Sequence, residues 1–216
     1  MEAPGRPTPS DRLLGYLRAH KGARRGISIA SVVLVLAAVG LLGYPLFTNV
    51  YQSRLQSKLA RQLADPNLAN EYRTNAVPVG NGLTRLQIPA IGVDVVVVEG
   101  TTEQALEAGA GHYPSTPLPC EAGDVAIAGH RTTYGRPFAD VDRLKPGDRI
   151  TLSTPMGQCT YQVARNPFVV LPSDTSVVAD TPGQYTLTLT SCTPKGSAAY
   201  RIVIKAVMVG SAAQAA

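Results

Sequence analysis

At 216 residues, 44% hydrophobic and with a formal net charge of +5, the chain has room for one sizeable core plus a smaller element. Twenty glycines, seventeen prolines and few helical periods argue against a helix bundle and for a turn-rich, largely β domain. The charge is uneven: residues 1–26 hold six Lys/Arg against two acids, residues 51–216 fourteen against thirteen. The folded part is therefore nearly neutral, and no nucleic-acid partner is expected.

Residues 1–26 read as a cytoplasmic tail, polar and proline-rich to residue 11, with Leu13, Leu14, Tyr16 and Leu17 suited to a short interfacial helix. Residues 27–50 carry no charged side chain and would span about 36 Å as a helix, enough to cross a bilayer. The run is longer than the apolar segment of a cleaved signal peptide, and no Ala-x-Ala site follows it, so a retained anchor is expected. Arg18, Lys21, Arg24 and Arg25 precede it, which keeps the N-terminus cytoplasmic and puts the rest of the chain outside.

Residues 51–79 are expected to form a helical stalk and linker. Leu55, Leu59 and Leu63 recur every four residues, and Asp65-Pro66 ends the pattern. The leucine stripe suits docking on the folded domain, with a partner as the other reading. Residues 80–210 form the expected domain, followed by a flexible tail at 211–216. Strands are predicted at Leu83–Ile88, Val93–Val98, Asp124–Ala128, Arg149–Ser153, Cys159–Ala164, Tyr185–Ser191 and Arg201–Val209, with a short helix capped by Thr102. Seven or eight short strands and one small helix favour a closed β-barrel. The apolar, turn-rich residues 167–183 read either as a substrate wall or as an ordinary packed connection.

The strand ending Thr190-Ser191-Cys192-Thr193-Pro194 would hold a lone thiol rigidly at its end, and the next strand would bring Arg201 back beside it. Nucleophilic sulfur needs an electropositive setting and a proton carrier. His130 is the candidate carrier, with His112 competing and His20 set aside on the cytoplasmic side. Three extracytoplasmic cysteines leave one unpaired, and the turn-like settings of Cys120 and Cys159 favour their pairing, with Cys192 free. No metal-type cluster emerges, and no metal or cofactor is expected.

Thr188-Leu189-Thr190-Ser191-Cys192 with downstream Arg201 resembles the sortase signature Thr-Leu-x-Thr-Cys and its arginine. Ala128-Gly129-His130-Arg131-Thr132-Thr133-Tyr134-Gly135 resembles the histidine motif of class E, housekeeping-type sortases. The likeness spans roughly residues 82–209, and Ser191 departs from it by standing where threonine is usual. It implies a sortase-type closed eight-stranded β-barrel with short helices, preceded by one transmembrane helix, and a cysteine transpeptidase anchored in the membrane. Such an enzyme cleaves a Leu-Pro-x-Thr-Gly-like signal on secreted proteins between Thr and Gly, passes through a thioacyl enzyme, and transfers the protein to a peptidoglycan precursor amine. For class E the signal is Leu-Ala-x-Thr-Gly. A tyrosine is implicated in that preference, with Tyr113 or Tyr134 the candidates here and Thr190 a further candidate for substrate contact. Pilin polymerisation is an alternative within the family, and a catalytically silent, wall-binding module an alternative outside it. An L,D-transpeptidase would resemble Ser-x-Gly-Cys-x-Arg, and a papain-type hydrolase would place its cysteine before its histidine.

Overall fold

The computed structural model describes residues 8, 10 and 19–213. Leu13, Leu14, Tyr16, Leu17 and most of the first eleven residues lie outside the described residues, as do residues 214–216. The chain forms two units, Met1–Leu46 and Phe47–Ala216. Helix α1, Lys21–Leu63, is one continuous element covering the predicted span and most of the predicted stalk. Its apolar stretch is long enough to cross a membrane, and side chains such as Leu34, Leu36 and Leu41 are exposed there. A helix apolar on every face is suited to lipid, and this one fits a single-pass anchor.

After Leu63 the chain turns at Asp65, whose carboxylate accepts the Asn67 N–H and caps α2, Pro66–Arg73. Strands β1 (Gly82–Ile88) and β2 (Val93–Glu99) pair antiparallel through a 3-10 turn at Pro89–Ile91. Helix α3, Glu103–Glu107, is capped by the Thr102 hydroxyl and leads into β3, Ala110–His112. Then come β4 (Gly123–Ala128), β5 (Arg149–Thr154), β6 (Gly157–Val163), β7 (Phe168–Val170), β8 (Tyr185–Thr193) and β9 (Tyr200–Ala213). The order is β6-β5-β1-β2-β3-β4-β8-β9, and β9 pairs back onto β6, closing an eight-stranded barrel. The first part of β9 carries the short ninth strand β7 on its other edge, with Val170 beside Arg201. Closure leaves the eight-stranded ring no open edge.

The interior is built by alternation: Val125 and Ile127, Leu187 and Leu189, Ile202 and Ile204 all point inward and are buried. The Val-rich β2 is apolar on both sides for a specific reason. Val97 faces the interior, while Val96 and Val98 face outward under Leu59 of α1. Gln56 of the same helix accepts the Val96 N–H at 2.7 Å and donates to the carbonyls of Val96 and Ala108 at 2.9 and 2.7 Å. Backbone groups that the ladder leaves open on β2 are thus satisfied by a helix side chain.

Two strands escape the sequence pattern, β3 and β7, each of three residues. Alternation over so short a run carries almost no signal. Cys159 lies within β6 in the buried core, rather than in a turn, and is disulfide-bonded to Cys120.

Candidate active site

Cys192 is the free cysteine, half-buried near the end of β8. In the β8–β9 ladder it stands directly opposite Arg201. Cross-strand partners project to the same face with Cβ atoms about 5 Å apart, so thiol and guanidinium share one side of the sheet. Arg201 rests its Nη1 on the carbonyls of Ala198 and Tyr200, at 3.0 and 3.1 Å.

His130 arrives from the other flank. β4 runs parallel to β8 in a register ending at Ala128 beside Thr190, so continuing it by two residues brings His130 level with Cys192. Two bonds beyond the ladder hold that continuation: Gly129 N–H to the Thr190 carbonyl at 3.1 Å, and the Ser191 hydroxyl to the Gly129 carbonyl at 2.6 Å. Ser191 alternates with Cys192 and so points away from it, into the buried side. Gly129 must be glycine, since a Cβ there would lie 2.6 Å from the Phe138 ring.

Among the described residues no hydrogen bond joins His130 to Cys192, and the buried Nε2 has no partner. Burial pushes the His130 imidazole below the ordinary histidine range, and the carboxylates of Glu107 and Glu103 act against that push. The ring therefore rests neutral near pH 7, able to take a proton. Tyr134 packs on it at 5.5 Å between centroids and donates its hydroxyl to Glu107. The loop carrying Tyr134 holds three successive left-handed residues, Tyr134, Gly135 and Arg136, at φ 48°, 68° and 42°. Asn49 of α1 accepts the Gly135 N–H, so the helix also steadies this turn.

Tyr113 follows β3, and its hydroxyl lies 3.1 Å from that of Thr190, on the same face of β8 as Cys192. Further along this face Asp124, fully buried, accepts from Thr186, Thr188 and Lys205. The competing histidine, His112, is instead locked away: Nδ1 meets the Glu99 carboxylate at 2.8 Å and Nε2 the Pro117 carbonyl at 2.9 Å. Sequence reading missed Asp124 and the helix residues Gln56 and Asn49. Their role depends on elements far away in the chain, and no local pattern marks them.

Comparison with known proteins gives a single family. The Sortase domain family matches residues 86–209. Sortase SrtE1 of Streptomyces coelicolor is 30% identical over 96% of this chain, which spans 65% of that relative's length. Sortase D of Bacillus subtilis is 34% identical over 82% of this chain and 93% of its own. The crystal structure of sortase E1 from Streptomyces coelicolor with a tripeptide in the active site superposes with a TM-score of 0.57 at 31% identity, covering 62% of this chain and 91% of that one.

Proposed function

Because the chain belongs to the sortase family, in its class E group, we propose that it is a membrane-anchored cysteine transpeptidase acting through Cys192, His130 and Arg201. The observation that carries this reading is the register: a half-buried thiol stands opposite a guanidinium and one strand away from the strand end that carries His130. A protein bearing a C-terminal signal of the Leu-Pro-x-Thr-Gly kind, in the Leu-Ala-x-Thr-Gly variant, is the donor substrate.

His130 takes the Cys192 proton, and the sulfur attacks the threonine carbonyl carbon. The developing oxyanion is stabilised by Arg201, whose Nε and Nη2 are left for it by the Nη1 bonds to the loop. Imidazolium then gives its proton to the departing glycine amine, leaving a thioester on Cys192. An amine of the wall precursor next attacks that thioester, and His130 takes up its proton. Aminolysis competes with water, so the thioester must be sheltered and the amine bound close to it. Val170, half-buried on β7 opposite Arg201 and so on the same face as the thiol, supplies a wall for the donor peptide, with Tyr113 and Thr190 on its floor and Tyr134 behind His130. The N-terminus is assigned to the cytoplasm from the basic flank of α1, which puts the barrel outside, where the disulfide suits an oxidising compartment.

The test is mass spectrometry on the full chain in detergent micelles, given a Leu-Ala-x-Thr-Gly peptide and an amine, alongside Cys192→Ala. A thioacyl adduct and an amine-linked threonine product in the wild type alone are expected. Neither adduct nor cleavage, with this peptide and its Leu-Pro-x-Thr-Gly counterpart, from folded protein with a free thiol, would refute the assignment.

A further inference from the structure

The loop after His130 is fastened to α1 at the level where that helix leaves its apolar stretch. Asn49, whose side-chain oxygen accepts the Gly135 N–H at 3.2 Å, lies within the uncharged run of residues 27–50, and the first charge beyond the run is Arg54. Gln52 closes the same contact: it donates to the Ala108 carbonyl at 3.3 Å, and a Cβ on Gly135 would stand 2.5 Å from its Oε1. Counted from Ile27, about 20 helical residues fill the hydrocarbon core of a bilayer, so residues 47–53 fall in the headgroup layer.

Polarity over this stretch is the reverse of an ordinary docked helix. Thr48, Gln52 and Gln56 recur every fourth residue on the barrel side, with Thr48 and Gln52 buried. The opposite face carries Phe47, Val50 and Tyr51, 68%, 57% and 41% exposed, and the rings of Phe47 and Tyr51 stack at 6.3 Å. An apolar outer face ending in a tyrosine suits the membrane interface better than water. The loop tip beside Asn49 is exposed at Thr132, Gly135 and Arg136, and among the described residues no carboxylate pairs with Arg136. A free cation at this level suits lipid phosphate. The far end of the barrel is marked by Met156 in the β5–β6 turn, which lines a pocket with Leu63, about 21 Å beyond Asn49 along α1.

We propose that the tip of this loop, residues 132–136, rests on the phospholipid headgroups of the membrane that holds α1, with Arg136 against lipid phosphate. The loop that carries His130 is thereby held at the bilayer surface, and the β5–β6 turn stands away from it. The inference rests on the reading of α1 as an anchor and is independent of the transpeptidase activity.

The chain has no tryptophan, so a single introduced indole is a unique reporter. Full chains carrying Thr132→Trp, Tyr51→Trp or Met156→Trp are placed in phosphatidylglycerol-containing nanodiscs whose lipids bear a headgroup nitroxide, a short-range quencher. Thr132→Trp is expected to lose as much fluorescence as Tyr51→Trp, while Met156→Trp keeps its own. The same indole is added each time, so its intrinsic affinity for the interface cancels in the comparison. Arg136→Trp serves as a second tip reporter where Thr132 rejects the ring. Adding Arg136→Glu to Thr132→Trp should lessen the quenching, and an unchanged value would overturn the phosphate contact. Tip reporters quenched no more than Met156→Trp would overturn the proposal and leave the tip to water or to a protein partner. An unquenched Tyr51→Trp would refute the anchor as well, whereas a missing thioacyl adduct refutes only the assigned activity.

Discussion

Replacing Ser191 by alanine should loosen the active site from behind. The Ser191 hydroxyl is buried and donates to the Gly129 carbonyl at 2.6 Å, one residue before His130 and with Cys192 adjacent in its own strand. Alanine leaves that carbonyl enclosed without its donor, a loss of about 1–3 kcal/mol, whereas the missing oxygen removes little packing volume. Taking about 2 kcal/mol for a folded unit of this size, the melting temperature should fall by about 4–8 °C. The rate should suffer as well, because this bond fixes how far the His130 strand end stands from the thiol. A drift of about 1 Å between reacting groups costs up to about 100-fold. The assays are near-UV circular dichroism melting of the full chain in micelles and single-turnover formation of the thioacyl adduct. Ser191→Thr, which keeps the hydroxyl, should recover most of both. If Ser191→Ala melts within about 1 °C of wild type and acylates at the same rate, the hydroxyl does not couple the two strand ends, and the account of how His130 is held is wrong.

Three further outcomes are expected. Acylation should fail on the acid side with a midpoint below the ordinary histidine value, because burial lowers the His130 pKa; Glu107→Gln removes a carboxylate that raises it, so the limb should move to still lower pH, and a pH–rate profile that stays put or moves up would contradict this. The folded state also resists protonating this ring, so His130 contributes a loss of stability that begins as pH falls through the unfolded value and is complete below the folded one. Breaking the Cys120–Cys159 bond frees a loop with a sequence separation of 39, worth about 4 kcal/mol by loop entropy, so a melt under reductant should drop by roughly 8–16 °C. Leu59→Ala should cost about 2–5 kcal/mol by emptying the contact between α1 and Val96 and Val98, read as a lower melting temperature and faster hydrogen exchange across residues 47–63.

Much of this molecule is written locally. Apolar alternation marked the long strands, Thr102 marked a helix start, Asp65-Pro66 the end of the long helix, and an uncharged run the apolar part of that helix, because each signal comes from neighbouring side chains sharing one face or one helix end. The breaker after Cys192 and the strand before His130 likewise located both residues at strand ends. What only the tertiary structure decided is which distant residues meet. Parallel pairing of β4 with β8 brings His130 level with Cys192 across sixty-two residues of chain, and pairing with β9 then puts Arg201 opposite the thiol. The two histidines also differ in their surroundings, since His112 is held by Glu99 and Pro117 while His130 continues β4 toward Cys192. Arg131 makes the same point: in sequence it is one more basic residue after a histidine, and only the packing around it buries its charge beside Asp142.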